Sequence, residues 1–157
     1  MNPDGISRRP VDDSDRPFLF ALYANTRDAE LAQVPWTAEQ KLAFVGMQFD
    51  AQTASYRESY PQGLHEIISA GKVPAGRIYW SRQPDNLHVL DITVAPDRRN
   101  AGIGTHVLGE ILEEAGLTGK SVTIYVEDFN PSCRLFERLG FQVASRDGFL
   151  LLLQRLP

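Results

Sequence analysis

The stretch Leu90-Asp91-Ile92-Thr93-Val94-Ala95-Pro96-Asp97-Arg98-Arg99-Asn100-Ala101-Gly102-Ile103-Gly104-Thr105 reads as a strand, a turn with spaced glycines and the start of a helix. Leu90, Ile92 and Val94 alternate as a strand, Pro96 breaks it, and Ile103, Val107, Leu108, Ile111 and Leu112 recur at helical spacing. The helix is expected from Gly102 to about Ala115, with Gly116 and Gly119 ending it. Backbone geometry gives such a turn its chemistry. The first amides of a helix have no partner within it, and the helix dipole adds partial positive charge, so a phosphate can accept several hydrogen bonds there. Glycines let a ligand approach the backbone, and Arg98 and Arg99 supply cationic donors alongside.

Upstream, a short strand is expected around Ile6 to Val11, followed by Asp12, Asp13, Ser14 and Asp15 as acceptors for the opening amides of a helix. That helix runs through Phe18, Leu19, Leu22 and Tyr23 and is expected to end near Arg27. Asp28 to Pro35 reads as a polar connection. Thr37 with Gln40 has capping-box spacing, and Leu42, Val45 and Phe49 carry a second helix. Leu64 to Ser69, Val73 to Trp80 and Leu87 to Val94 then read as consecutive antiparallel strands, with turns at Ala70-Gly71-Lys72 and Gln83-Pro84-Asp85-Asn86. Downstream come a strand at Ser121 to Val126, a short helix at Pro131 to Leu139 stopped by Gly140, and closing strands at Phe141 to Ala144 and Phe149 to Leu153. The central strand, helix, strand unit should be parallel and right-handed. The expected fold is one domain over residues 1–157, a mixed sheet flanked by helices.

Composition narrows the function. The chain is 43% hydrophobic and 23% charged, with a net charge of -4, so it presents no overall positive field for nucleic acid or an anionic membrane surface. An anionic ligand must be held locally. The N-terminal residues show no basic segment followed by an apolar core, and Leu150 to Leu153 is too short to span a bilayer. Cys133 is the only cysteine, which excludes an internal disulfide and points to a reduced, cytoplasmic setting. His65, His88 and His106 lie in separate elements without metal-ligand spacing, so no metal is expected.

Two other phosphate motifs fail on inspection. A dinucleotide fingerprint beginning at Gly102 needs glycine at position 107, which is Val107. Gly119-Lys120-Ser121 imitates the end of a nucleotide-hydrolase loop, but Glu114 stands at its first glycine and a strand follows. What remains, Arg99-Asn100-Ala101-Gly102-Ile103-Gly104, resembles the pyrophosphate motif of the GNAT acyltransferase superfamily: Gln or Arg, two residues, Gly, one residue, Gly or Ala. Asn130 to Phe141, ending Leu139-Gly140-Phe141, is similar to the family's second segment.

The resemblance implies a mostly antiparallel α/β sheet of six or seven strands with about four helices and a splay between strands four and five. It implies acetyl-coenzyme A as co-substrate, its pantetheine arm in the splay. Ile92 and Val94 on strand four, Arg99, Asn100, Ala101, Gly102, Ile103, Gly104 and Thr105 in the turn, and Asn130 and Phe136 beyond it would contact the cofactor. The expected activity is N-acetylation of a small-molecule or peptide amine by direct transfer. A catalytically weak acyl-coenzyme A sensor is the alternative. An open sheet leaves edges that a homodimer would cover.

An acceptor with the pKa of lysine is protonated at neutral pH, and exposing its lone pair costs roughly 4 to 5 kcal/mol. A base or a water chain must take that proton. Asp91 on strand four and Glu127 at the end of the next strand are the candidates. Phe136 departs from the family, because many members have there a tyrosine that protonates the leaving thiolate. Tyr79 and Tyr125 carry hydroxyls, yet strand aromatics more often pack, so neither is assigned. Cys133 reads as a buried, inert thiol. Acceptor contacts are expected from Arg27, Asp28, Glu30 and Trp36 around the connection between the first helices, Thr26 to Trp36, and from the last hairpin near Ser145 to Gly148.

Overall fold

The computed structural model describes residues 5–157; residues 1–4, which open the segment read for a leader, lie outside them. Seven strands form one sheet: β1 (Ile6–Pro10), β2 (Leu64–Ala70), β3 (Val73–Arg82), β4 (Asn86–Val94), β5 (Ser121–Glu127), β6 (Gln142–Asp147) and β7 (Leu150–Arg155). Their order is β1-β2-β3-β4-β5-β7-β6, and only β4 and β5 pair in parallel. The expected mixed, mostly antiparallel sheet is present. Four α-helices flank it: α1 (Arg16–Leu31), α2 (Ala38–Ser59), α3 (Ile103–Thr118) and α4 (Cys133–Arg138).

Helix α1 runs four residues past the expected end at Arg27. Arg27, Ala29, Glu30 and Leu31 are all compatible with a helix, and no proline or glycine intervenes before Pro35. The Ala32 amide still donates to the Asp28 carbonyl at 2.9 Å. Helix α2 starts where the capping box placed it: Thr37 Oγ1 accepts from the Gln40 amide and Gln40 Oε1 accepts from the Thr37 amide. The closing strands β6 and β7 extend beyond the expected Ala144 and Leu153, so the last turn sits at Gly148 and Phe149 rather than at Ser145 to Gly148.

Each face of the sheet carries its own apolar layer. On one, Ile78, Trp80, Leu87, Val89, Val122 and Ile124 pack against Val107, Leu108 and Ile111 of α3 and Phe136 of α4. On the other, Ile67 packs under Leu19, Tyr23, Val45 and Phe49 of α1 and α2. The α3 layer follows from amphipathic spacing, whereas α2 buries only Val45 and Phe49 of its expected stripe and leaves Leu42 exposed.

The β4 register positions the site. Tyr79 pairs with Asp91 but Trp80 pairs with Val89, so Leu90 is an extra residue on β4, a bulge. Across it the alternation changes phase. Leu87 and Val89 face α3 before the bulge, and Ile92 and Val94 pack on the same layer after it. The β4–β5 ladder stops there too: Asn86, Leu87, His88 and Val89 pair with Ser121, Val122, Thr123 and Ile124, and Leu90 to Val94 have no partner on β5. That divergence is the splay between strands four and five.

Candidate active site

The splay opens toward the glycine turn. After β4, a 3-10 turn (Pro96–Arg98) leads to Asn100 at φ 63 and Gly102 at φ 79, both in the left-handed region. Asparagine tolerates that conformation better than most residues, and glycine does so freely. At Gly102 the requirement is conformational, since a Cβ there would meet nothing within 4 Å. No side chain caps the first turn of α3, so its opening amides have no side-chain partner among the described residues and carry the positive end of the helix dipole. Arg99 braces the turn, with Nε donating to the Val94 carbonyl and Nη2 to Asn25 Oδ1 of α1, each at 3.3 Å. Ala101 and Thr105 are exposed, Gly104 is half-buried, and Ile103 is anchored in the core.

The other predicted cofactor contacts separate. Asn130 is exposed, and its Oδ1 accepts from the Ser132 amide at 2.9 Å, holding the entry to α4 and leaving its amide nitrogen for a ligand. Phe136 is 1% exposed, its ring T-shaped against Phe141 at 5.4 Å, so it belongs to the core beneath the splay. Cys133 is half-buried rather than buried, and its Sγ lies 3.5 Å from the Glu127 carbonyl. Burial and the Asp128 charge raise its thiol pKa, which fits an inert group.

Asp91 lies on the α1/α2 face in a polar network. Its Oδ2 accepts from Arg77 Nε at 2.8 Å and from Thr93 Oγ1 at 2.9 Å. Arg77 is buried under α2, where Nη2 also donates to Gln52 Oε1 at 2.8 Å. Thus the carboxylate that the sequence offered as a base is an ion-paired strand residue with one oxygen outside the pair. Beside it, His65 stacks on Tyr79 with centroids 4.5 Å apart. Burial, and then Arg77, push its pKa down to about 4. Tyr56 Oη reaches the carbonyl of the bulged Leu90 at 3.5 Å, and burial raises its pKa to about 12. His65 and Arg77 share the Ile67 face of the sheet, opposite Ile68, Ile78 and Trp80, and that shared face becomes readable only once the strand pairing is known. Glu127 is exposed at the end of β5, and among the described residues its carboxylate has no ion pair.

The expected acceptor contacts are not in one loop. Arg27 and Glu30 belong to α1, where they form an ion pair at 3.3 Å, and Arg27 also donates to Tyr23 Oη. Trp36 does lie in the connection, T-shaped on Phe44 at 5.2 Å. The hydrogen bond from Arg99 to Asn25 nonetheless sets α1 beside the glycine turn. Among the described residues no three His, Cys, Asp or Glu gather to hold a metal ion, and no helix is long and apolar enough to cross a membrane.

In fold, the chain is similar to the PaiA N-acetyltransferase of Thermoplasma acidophilum, solved in complex with coenzyme A, at 16% identity and a TM-score of 0.74, covering 98% of this chain and 99% of that one. It is similar to an acetyltransferase of Thermus thermophilus (20% identity, 97% of each chain, TM-score 0.66). The ribosomal-protein-S18-alanine N-acetyltransferase of Escherichia coli is another such structure (18% identity, 96% of this chain and 93% of that one, TM-score 0.65). No curated protein is matched by the sequence. The model of the acetyltransferase (GNAT) family matches residues 20–141, and with the splayed sheet and the glycine turn above it, this chain belongs to that family.

Proposed function

We infer that the protein transfers an acetyl group from acetyl-coenzyme A to a primary amine of a small molecule or peptide, directly, within a ternary complex. One observation carries this reading: the uncapped amides at the head of α3, reached through left-handed Gly102, stand at the open end of a splay between β4 and β5. The diphosphate would sit on residues Arg99 to Thr105, and the pantetheine arm would run along Ile92 and Val94 with Asn130 opposite. The coenzyme A in the Thermoplasma acidophilum relative is of matching chemistry. Asp91, through the oxygen that Arg77 leaves free, and Glu127 are the groups offered to take the amine proton, directly or through water. Arg27, Glu30 and Trp36 would meet the acceptor; Arg27 and Glu30 lie on α1, the helix that Arg99 ties to the glycine turn.

Calorimetry with coenzyme A tests the reading, together with thiol release from acetyl-coenzyme A over a panel of amines and peptides. Binding by the parent chain, and its loss in Gly102→Glu, are expected. No heat with the parent chain overturns the proposal. The second reading, a catalytically weak coenzyme A sensor acting through a partner, draws on the buried, hydroxyl-free ring of Phe136. Binding without turnover on any amine would select it.

A further inference from the structure

At the deep end of the splay the first unpaired residues are Leu90 on β4 and Tyr125 on β5, just past the last paired couple, Val89 and Ile124. Tyr125 belongs to the face of β5 opposite the core residues Ile124 and Val126, and it is 53% exposed. Its ring is held from behind. His88 meets it edge-on with centroids 5.6 Å apart at 73°, and His88 is in turn stacked on Tyr60 at 5.6 Å and 19°. His88 is itself only 7% exposed and is fixed by a 2.8 Å hydrogen bond between Nδ1 and Thr123 Oγ1. Asn86 Nδ2 donates to that same Thr123 oxygen at 2.7 Å. A solvent-accessible tyrosine, seated on a buried and hydrogen-bonded support, is the arrangement expected for a side chain that must present its hydroxyl at a fixed place.

Resting on the acetyl-transfer reading above, we propose that Tyr125 is a catalytic residue that donates its hydroxyl proton to the departing thiolate, with His88 as its positioning residue. From the glycine turn, an arm lying along Leu90 to Val94 reaches back over four residue steps, about 13 Å, to the point where the strands join. The reacting thioester therefore lies between Leu90 and Tyr125. The balance is complete. The amine nitrogen forms the C–N bond, the C–S bond breaks, and sulfur keeps the electron pair and takes the Tyr125 proton. The proton lost by the nitrogen returns to the phenolate through the solvent that the half-exposed ring touches. Phe136, buried and without a hydroxyl, takes no part.

The test is Tyr125→Phe, a change at an exposed position that keeps the ring and its contact with His88. Turnover with the best amine should fall by about tenfold or more. A readout independent of turnover is the calorimetric affinity for coenzyme A against desulfo-coenzyme A. The parent should prefer the thiol by about two- to tenfold, the value of one hydrogen bond, and the variant should bind both equally. Unchanged turnover, or equal loss of affinity for both ligands, overturns the proposal while leaving the acetyl-transfer reading intact. Absence of binding in the parent overturns both.

Discussion

Arg77 donates through Nε to Asp91 Oδ2 at 2.8 Å, and the arginine side chain is 4% exposed whereas the aspartate is 27% exposed. The pair joins β3 to β4 just past the bulge. Removing one partner of a buried pair leaves the other charge uncompensated, which costs more than the pair contributes. Asp91→Asn should therefore destabilise the fold by about 2–4 kcal/mol, lowering the melting temperature by about 10 °C. Thermal denaturation checks this, and an unchanged melting temperature would show that Gln52 and solvent satisfy Arg77 alone. Any loss of turnover in that variant counts as chemical only when read well below its own transition.

Stability should fall as pH drops from about 6.5 toward 4. His65, with its folded pKa pushed down to about 4 by burial and by Arg77, stays neutral while the unfolded chain takes up a proton. The unfolded state then binds more protons, so unfolding is favoured progressively through that window. Burial acts on His88 in the same direction. At about 1.36 kcal/mol per unit, discounted because His65 keeps some solvent contact, its share is about 2 kcal/mol. His65→Gln should flatten the stability profile between those limits in denaturant titrations. A slope identical to that of the parent would place the titrating group elsewhere.

Gly76 should not tolerate alanine. It pairs with Val94 across β3 and β4, and a Cβ built on it would run into the carbonyl oxygen of Thr93. Backbone cannot yield as a flexible side chain can, so Gly76→Ala should cost about 3 kcal/mol or more, or shift β4 and with it the head of the glycine turn. Denaturant unfolding, paired with coenzyme A calorimetry, measures both effects. A fully stable variant with unchanged affinity would mean that the two strands can part locally at no cost.

The fold was legible because local signals agreed with the global arrangement. The Thr37 and Gln40 box, Gly119 closing α3 and the turn residues between strands each named an element boundary that is present, whereas Gly116 lies inside α3, which runs to Thr118 rather than ending at about Ala115. The glycine turn was legible because its chemistry is backbone chemistry, encoded in glycine and helix spacing. The Arg77 network and the Tyr125 support were not, since they are contacts between residues 14 and 37 positions apart that exist only in the paired sheet. The bulge at Leu90 did leave a trace, the switch of apolar positions from Leu87 and Val89 to Ile92 and Val94. Strict alternation read backward from Val94 concealed it. The end of α1 was misjudged because a polar helix surface and a polar loop have the same composition, which moved Arg27 and Glu30 into a connection they do not occupy.

Phe136→Tyr should not restore a proton donor. Phe136 is 1% exposed and packed edge-on against Phe141, with Leu151 and Leu153 in the same layer. A hydroxyl added to that ring enters the core without a partner, which costs about 1–3 kcal/mol unless the helix shifts to release it. Phe136→Tyr is thus expected to be less stable and no faster, with its rate still set by Tyr125. Comparing turnover and melting temperature of Phe136→Tyr, Tyr125→Phe and the double variant separates the possibilities. If Phe136→Tyr rescues the Tyr125→Phe rate, the ring at position 136 reaches the thiolate after all, and α4 must move when the ligand binds.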